Sequence, residues 1–303
     1  MTATPHAERS HRAVSTLAVL ALVFNAFVWG VSWWPLRHLQ GLGLHPLWAT
    51  ALIYALASVA IVLRWPGAPR LLARTPALWV LMLAAGTTNA AFNWAVTIGD
   101  VVRVVLLFYL MPLWTALLAR WLLHERLTCW AALRMVLALA GAAIVLLPPG
   151  RGWPWPSGLA DLLGLLGGLA FALNNVMLKR EAARPAEGRA LAMFFGGLLV
   201  AGGLAVVLAA SGSVALPPPP RADWLPAAVA LALAFLAANL ALQYGTSKLR
   251  ANVTAVVMLT EVVFASASAV WLGDQVLSPQ MLAGGALIVL AALLSTLEPP
   301  AHR

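Results

Sequence analysis

The sequence predicts an all-α polytopic membrane protein: ten transmembrane helices arranged as a five-plus-five inverted repeat. Three observations predict it: the composition, a succession of apolar runs near 20 residues long, and an ordered similarity between the two halves of the chain. Of 303 residues, 62% are hydrophobic and only 10% charged, against about 25% charged in an ordinary soluble domain. Mean hydropathy is +0.88, so a soluble globular enzyme is excluded. A helix needs roughly 20 residues to cross a hydrocarbon core about 30 Å thick, and ten crossings use about 200 residues. The remaining hundred or so leave only about nine residues for each connection or tail, too few for a domain outside the bilayer.

Apolar windows bounded by charge, Pro and Gly place the spans at 13–36, 46–63, 77–97, 102–123, 128–147, 157–178, 190–210, 223–244, 251–272 and 279–297. The first follows Arg9 and Arg12 like a signal peptide, yet ends in Trp29, Trp33 and Trp34 instead of small residues, so it is expected to remain as an uncleaved span. Breakers punctuate the connections: Pro66, Pro69 and Pro76 after the second span, Pro148 to Pro156 after the fifth, and Pro217 to Pro220 before the eighth. Arg103, Arg120 and Arg134 intrude near the ends of the fourth and fifth spans. Those helices are therefore expected to be short, tilted or snorkelling.

The net charge of +9 and the pI of 11.2 are scattered between apolar runs without a basic stripe, which argues against a nucleic-acid partner and for an orientation signal. With the N-terminus inside, the inner segments carry Arg9, Arg12, Arg64, Arg70, Arg74, Arg120, Arg126, Lys179, Arg180, Arg184, Arg189, Lys248, Arg250 and Arg303. The outer segments carry only Arg37, Arg103, Arg151 and Arg221. This bias places both termini in the cytoplasm. The single Cys129 excludes an internal disulfide.

The halves, 1–150 and 151–303, match in order. Pro112 to Thr128 answers Glu261 to Ser278, Asn93 to Gly99 answers Asn239 to Gly245, and Trp29 to Arg37 answers Phe171 to Lys179. Five helices per half is an odd number, so the second half enters the membrane from the opposite side. Inverted repeats of this kind characterise transporters that alternate access around a midplane site.

Enzymatic motifs are missing. Neither lysine belongs to a phosphate loop, there is no HExxH or CxxC, and none of the six histidines lies deep in a span. No catalytic residue, metal or cofactor is expected. The polar residues that do enter the spans align. In the third helix Gly86, Asn89, Asn93 and Thr97 draw one stripe, matched in the eighth by Phe235, Asn239 and Gln243. Ser32 and Asn174 correspond between the first and sixth helices. Amides both donate and accept, which suits a zwitterion without fixed charge; the other reading is interhelical hydrogen bonding. Aromatic residues, Trp29 and Phe108 among them, are placed to wall an apolar cavity. Glu261 is the one carboxyl near the centre of a span, either a coupling or substrate-contacting group or a structural hydrogen-bonding one. Pro112, its repeat mate, frees the carbonyl of Phe108 and kinks the fourth helix, either as a hinge or as a plain structural bend. The glycine clusters around positions 164–168, 196–203 and 284–285 read as helix-packing surfaces.

Five plus five inverted spans, Trp29-Gly30 and Phe171-Ala172 in helices one and six, and the segment Tyr109 to Thr128 resemble the drug/metabolite transporter superfamily, EamA type. Ile53 to Leu63, Phe108 to Trp114 and Arg250 to Val256 are most similar to the YddG-type amino-acid exporters. His124 stands where the family commonly has glycine before Glu125, whereas Gly273-Asp274 keeps that pattern. The resemblance implies a monomeric exporter of aromatic and other neutral amino acids in the bacterial inner membrane, with the lipid bilayer as its other partner. Related members carry drugs and other small metabolites. The orientation is open to direct measurement: in a Cys129→Ser background, Arg151→Cys should react with a membrane-impermeant maleimide from outside intact cells. Reaction only after permeabilisation would reverse the topology.

Overall fold

The computed structural model describes residues 5–122, 129–146, 155–220, 222–248, 257–258, 260–273 and 275–294. Helices make up the described chain: α1 (Pro5–Val31), α2 (Trp33–Gly41), α3 (Pro46–Arg64), α4 (Ala68–Arg74), α5 (Pro76–Ile98), α6 (Val101–Phe108), α7 (Met111–Leu122), α8 (Cys129–Leu146), α9 (Leu159–Arg180), α10 (Ala186–Ala210), α11 (Leu225–Lys248), α12 (Thr260–Gly273) and α13 (Pro279–Leu294). Among the described residues, six spans are long and apolar enough to cross a membrane; a seventh is the bent pair α4–α5, and three shorter apolar helices lie in α8, α12 and α13. The chain is a polytopic all-α membrane protein of ten spans in two inverted five-helix repeats. Residues 251–256 and 259, at the start of the ninth predicted span, lie outside the described residues.

Prolines set the breaks. The first span divides at Ser32 into α1 and α2, because Pro35 cannot donate to the carbonyl of Val31 and its ring crowds that oxygen. It also runs on to Gly41, beyond the expected end at 36. Between α4 and α5 the chain bends by 104°; Thr75 precedes Pro76 and takes the extended conformation, φ −123° and ψ 93°, that the proline ring imposes on its neighbour. The fourth span breaks at Tyr109 and Leu110, and α7 starts at Met111 with Pro112 in its first turn. The missing amide of Pro112 thus falls where α6 has already ended.

Helix packing repeats the internal symmetry of the sequence. The contact of α5 with α9 has its counterpart in α11 with α1, that of α5 with α10 in α11 with α3, and that of α6 and α7 with α9 in α1 with α12. Two contacts are their own counterparts, α3 with α10 and α8 with α13. Lipid offers no hydrophobic incentive for helices to associate, so close approach is left to small residues. On α9, a Cβ at Gly164 would lie 3.3 Å from the Val104 carbonyl oxygen, and one at Gly168 2.5 Å from that of Phe108. Gly141 and Gly284 face each other across α8 and α13, each carbonyl 2.6 Å from where the other's Cβ would stand. On α5 and α10, Cβ atoms at Gly86 and Gly196 would overlap the backbones of Gly196 and Met82. Outward, Leu17, Leu20, Leu63, Val207, Leu233 and Trp271 are exposed, as a lipid-facing surface requires.

Arg37 and Arg103 knit the face of the molecule opposite the start of α1. Arg103 is held by partners within the protein. Its Nε and Nη2 each meet an Asp161 carboxylate oxygen at 2.8 Å, and Nη1 donates to the Val145 carbonyl at 2.5 Å. Ser157 completes the cluster by donating its backbone N–H to Asp161 at 2.8 Å. A half-buried cation inside a span is tolerated when its donors are paired in this way. Arg37 stacks on Trp33 at 4.9 Å, donates to the Val96 carbonyl at 3.1 Å and also reaches the Gly99 carbonyl, closing the end of α5. Arg120 is exposed, and the Arg134 side chain is outside the described residues.

On the same face, His45 caps α3. Its Nδ1 accepts from Leu47 N–H at 3.2 Å, and burial lowers its pKa below the ordinary value. The cap requires the neutral ring, so its contribution is complete above about pH 6.5 and disappears as the pH falls through the lowered value. Two outcomes follow. The melting temperature should drop on acidification through that range in the wild type more than in His45→Asn, whose side chain caps without titrating. Gly196→Val should destabilise the fold by about 1–3 kcal/mol through overpacking, read as a lower melting temperature in detergent.

Candidate functional site

The central cavity is built by α1, α3, α5, α6, α9, α10, α11 and the segment leading into α12. It comprises about 730 Å³ of space, its open part included. Of the residues expected from the sequence, Trp29, Asn89, Phe108, Asn174, Asn239 and Glu261 line it. Asn25, Tyr54, Phe92, Phe171, Phe194 and Phe235 join them.

Aromatic rings make the walls. Trp29 stacks on Phe235 at 4.5 Å, and Phe108 packs against Phe92 at 4.9 Å and Phe171 at 5.2 Å. Such a frame presents rigid apolar faces of the kind that hold a flat or branched hydrocarbon group. The amides divide into engaged and open ones. Asn89 is fully engaged: its Oδ1 accepts from Tyr54 Oη at 2.5 Å and its Nδ2 donates to the Ala85 carbonyl at 2.7 Å. Asn239 accepts from Gln243 at 2.7 Å. Asn25 donates to the Ala238 carbonyl at 2.9 Å, which fixes the amide with Oδ1 as the remaining acceptor. That Oδ1 and the Oδ1 of Asn174 are buried without a hydrogen-bond donor among the described residues. Two orphaned acceptors in one apolar cavity are costly unless a ligand supplies donors.

Glu261 is 7% exposed. Tyr109 Oη lies 3.0 Å from its Oε2 and 2.9 Å from the Met258 carbonyl. One hydroxyl proton serves one acceptor at a time. When Tyr109 donates to Met258, the contact with Glu261 is made only by a protonated carboxyl that donates to the tyrosine oxygen. A neutral Glu261 therefore satisfies all three groups.

Three expected residues stand outside the lining. Ser32 donates to its own helix at the Trp29 carbonyl, 2.9 Å away. Asn93 is completely buried and donates to Thr50 Oγ1 at 3.1 Å, joining α5 to α3. Gln243 stands behind Asn239. The reason is geometric. An inverted repeat carries a position beyond the midplane in one half to the opposite depth in the other, so repeat mates flank the midplane instead of facing each other. The cavity lies toward the face where α1 begins. It takes Asn174 and Asn239 from the second half and leaves their mates Ser32 and Asn93 beyond it. Asn25 and Tyr54 of the first half reach the right depth and were missed because neither belongs to the matched segments. Pro112 sits at the start of α7, its side chain outside the described residues.

Comparison with known proteins agrees with this architecture. The model of the EamA-like transporter family matches the chain twice, over residues 16–147 and 158–297. A solved structure, described only as the crystal structure of a protein, is similar with a TM-score of 0.58 and 21% identity, over 92% of this chain and 96% of its own; at that identity the likeness concerns the fold. No curated protein sequence matches. With two tandem family matches covering almost all of it, the chain belongs to the EamA-like transporter family, and it is a multi-pass membrane transporter of the drug/metabolite transporter type.

Proposed function

We propose that the protein exports aromatic and other neutral amino acids by alternating access around the central cavity. The observation that carries this reading is the pair of buried acceptors, Asn25 Oδ1 and Asn174 Oδ1, inside a cage of Trp29, Phe92, Phe108, Phe171 and Phe235. An α-ammonium group supplies the missing donors, and an aromatic or aliphatic side chain fills the apolar remainder. Among the described residues no fixed cation lines the cavity, which suits a zwitterion better than an anionic metabolite. In this reading Pro112 marks the hinge of the fourth span, the protein works as a monomer in a bacterial inner membrane with both termini cytoplasmic, and the cavity opens inward. A lipophilic cation without a carboxylate would fit the same walls, which makes multidrug export the rival.

Counterflow of labelled phenylalanine in proteoliposomes tests the reading. Asn174→Leu should raise KM about tenfold, the cost of one hydrogen bond to a charged group, with folded yield unchanged. Asn93→Leu should instead lower melting temperature at nearly constant KM. Saturable flux of a lipophilic cation with none of phenylalanine would transfer the assignment to drug export.

In the same scheme Glu261 is a neutral, structural carboxyl. Glu261→Gln keeps the shape and the donating group, so it should retain most counterflow activity. A folded Gln variant that keeps exchange but loses pH-gradient-driven uptake would make Glu261 the coupling site instead.

A further inference from the structure

A second cavity lies outside the transport path, between α3, α4, α5 and α10. It holds about 1160 Å³, its open part included, and is lined by Ala55, Ser58, Val62, Leu72, Trp79 and Phe195 among others. Among the described residues its side-chain lining is apolar except for the Ser58 hydroxyl and the Trp79 indole N–H, which donates to the Leu72 carbonyl at 2.9 Å. Ser58 is 5% exposed, and its Oγ has no hydrogen-bond partner among the described residues.

Leu63, Pro69 and Ala73 line one end of this crevice, and each is followed in the chain by an arginine: Arg64, Arg70 and Arg74. The 104° bend between α4 and α5 lays α4 along the membrane plane where α5 stands across it. Ala68 and Leu72 of α4 are buried while Arg70 and Arg74 are exposed, the pattern of a short interfacial helix. Arg64 ends α3 beside them, exposed, with its guanidinium over the Trp65 ring at 5.2 Å. Among the described residues no carboxylate pairs with any of the three. Along α3, Ser58 stands six residues from Arg64, about 9 Å deeper at 1.5 Å per residue, and Ala55 about 13 Å deeper.

We propose that this crevice is a binding site for an anionic phospholipid. The phosphate sits among Arg64, Arg70 and Arg74, a glycerol ester carbonyl accepts from Ser58 Oγ, and one acyl chain runs down the groove past Val62 and Ala55. Each part of the lipid meets its complement at the matching depth: charge at the interface, one donor at the ester level, hydrocarbon below. The bound chain bridges α3, α5 and α10, helices that also line the transport cavity, so the lipid braces the scaffold from its outer side.

Native mass spectrometry of the delipidated full-length protein, titrated with phosphatidylglycerol or phosphatidylcholine of identical acyl chains, tests the site. Phosphatidylglycerol should bind more tightly, and its advantage should shrink about fivefold for each of Arg64→Gln, Arg70→Gln and Arg74→Gln. Ala55→Phe, which fills the groove, should weaken both lipids. Circular dichroism and size-exclusion profiles of each variant separate loss of binding from loss of fold. If a variant misfolds, the wild-type preference and competition by soluble glycerol phosphate still decide. Equal affinity for the two lipids, or full displacement by glycerol phosphate, would overturn the proposal, the latter because it leaves the acyl groove without a role.

Discussion

In hydrocarbon no water is available to complete a hydrogen bond, so each polar group that enters the bilayer needs a partner supplied by the protein or its ligand. The arrangement of this molecule follows from that constraint. Arg103 resides in a span because Asp161, Ser157 and the Val145 carbonyl receive its donors, and in doing so it ties the fourth, fifth and sixth spans together at one face. Arg37 acts likewise on the carbonyls left open at the end of α5. Asn93 donates to Thr50 between α5 and α3, although its own Oδ1 has no partner among the described residues. Trp33 Nε1 finds Ser268 Oγ at 2.9 Å, joining the first span to the ninth. Of the buried polar atoms left without a partner among the described residues, the Asn25 and Asn174 oxygens are the two that belong to residues lining the central cavity.

The same constraint explains the distribution of glycine. Helices that gain little from burying apolar surface in lipid depend on close van der Waals contact, and glycine faces glycine at Gly86 with Gly196 and at Gly141 with Gly284. Both contacts join the two repeats. A larger residue at any of these positions would push apart the helices that hold the halves in register. The cavity lies between those seams, where the aromatic residues take over and keep the helices apart.

Inverted symmetry gives such a molecule two equivalent shapes, and a single conformation realises only one of them. Here the cations close the face opposite the start of α1, while the cavity draws its residues from depths nearer the other face. Repeat-related residues then do different work at a given moment: Asn239 lines the cavity while Asn93 holds two helices together. In the alternating access proposed for this protein, these environments exchange between the repeats.

The sequence by itself determined the class, the spans and the breaks. Hydropathy is a one-dimensional property at the scale of a bilayer, and prolines such as Pro76 and Pro112 act on their immediate neighbours, so both are legible without knowledge of distant contacts, whereas the division of the first span near Pro35 was not anticipated. Trp29, Phe108, Asn89, Asn174, Asn239 and Glu261 were also legible as candidates, because polar and aromatic side chains on an apolar helix stand out. Their partners were not. That Asn25 completes the cavity, that Tyr109 meets Glu261, and that Arg103 pairs with Asp161 across 58 residues depend on helix rotation and relative depth. Those quantities are set by packing among helices distant in the chain, and the weak amphipathicity of nearly uniform apolar segments leaves little trace of them in any one helix. The tertiary structure alone decided which amides line the cavity and which join neighbouring helices.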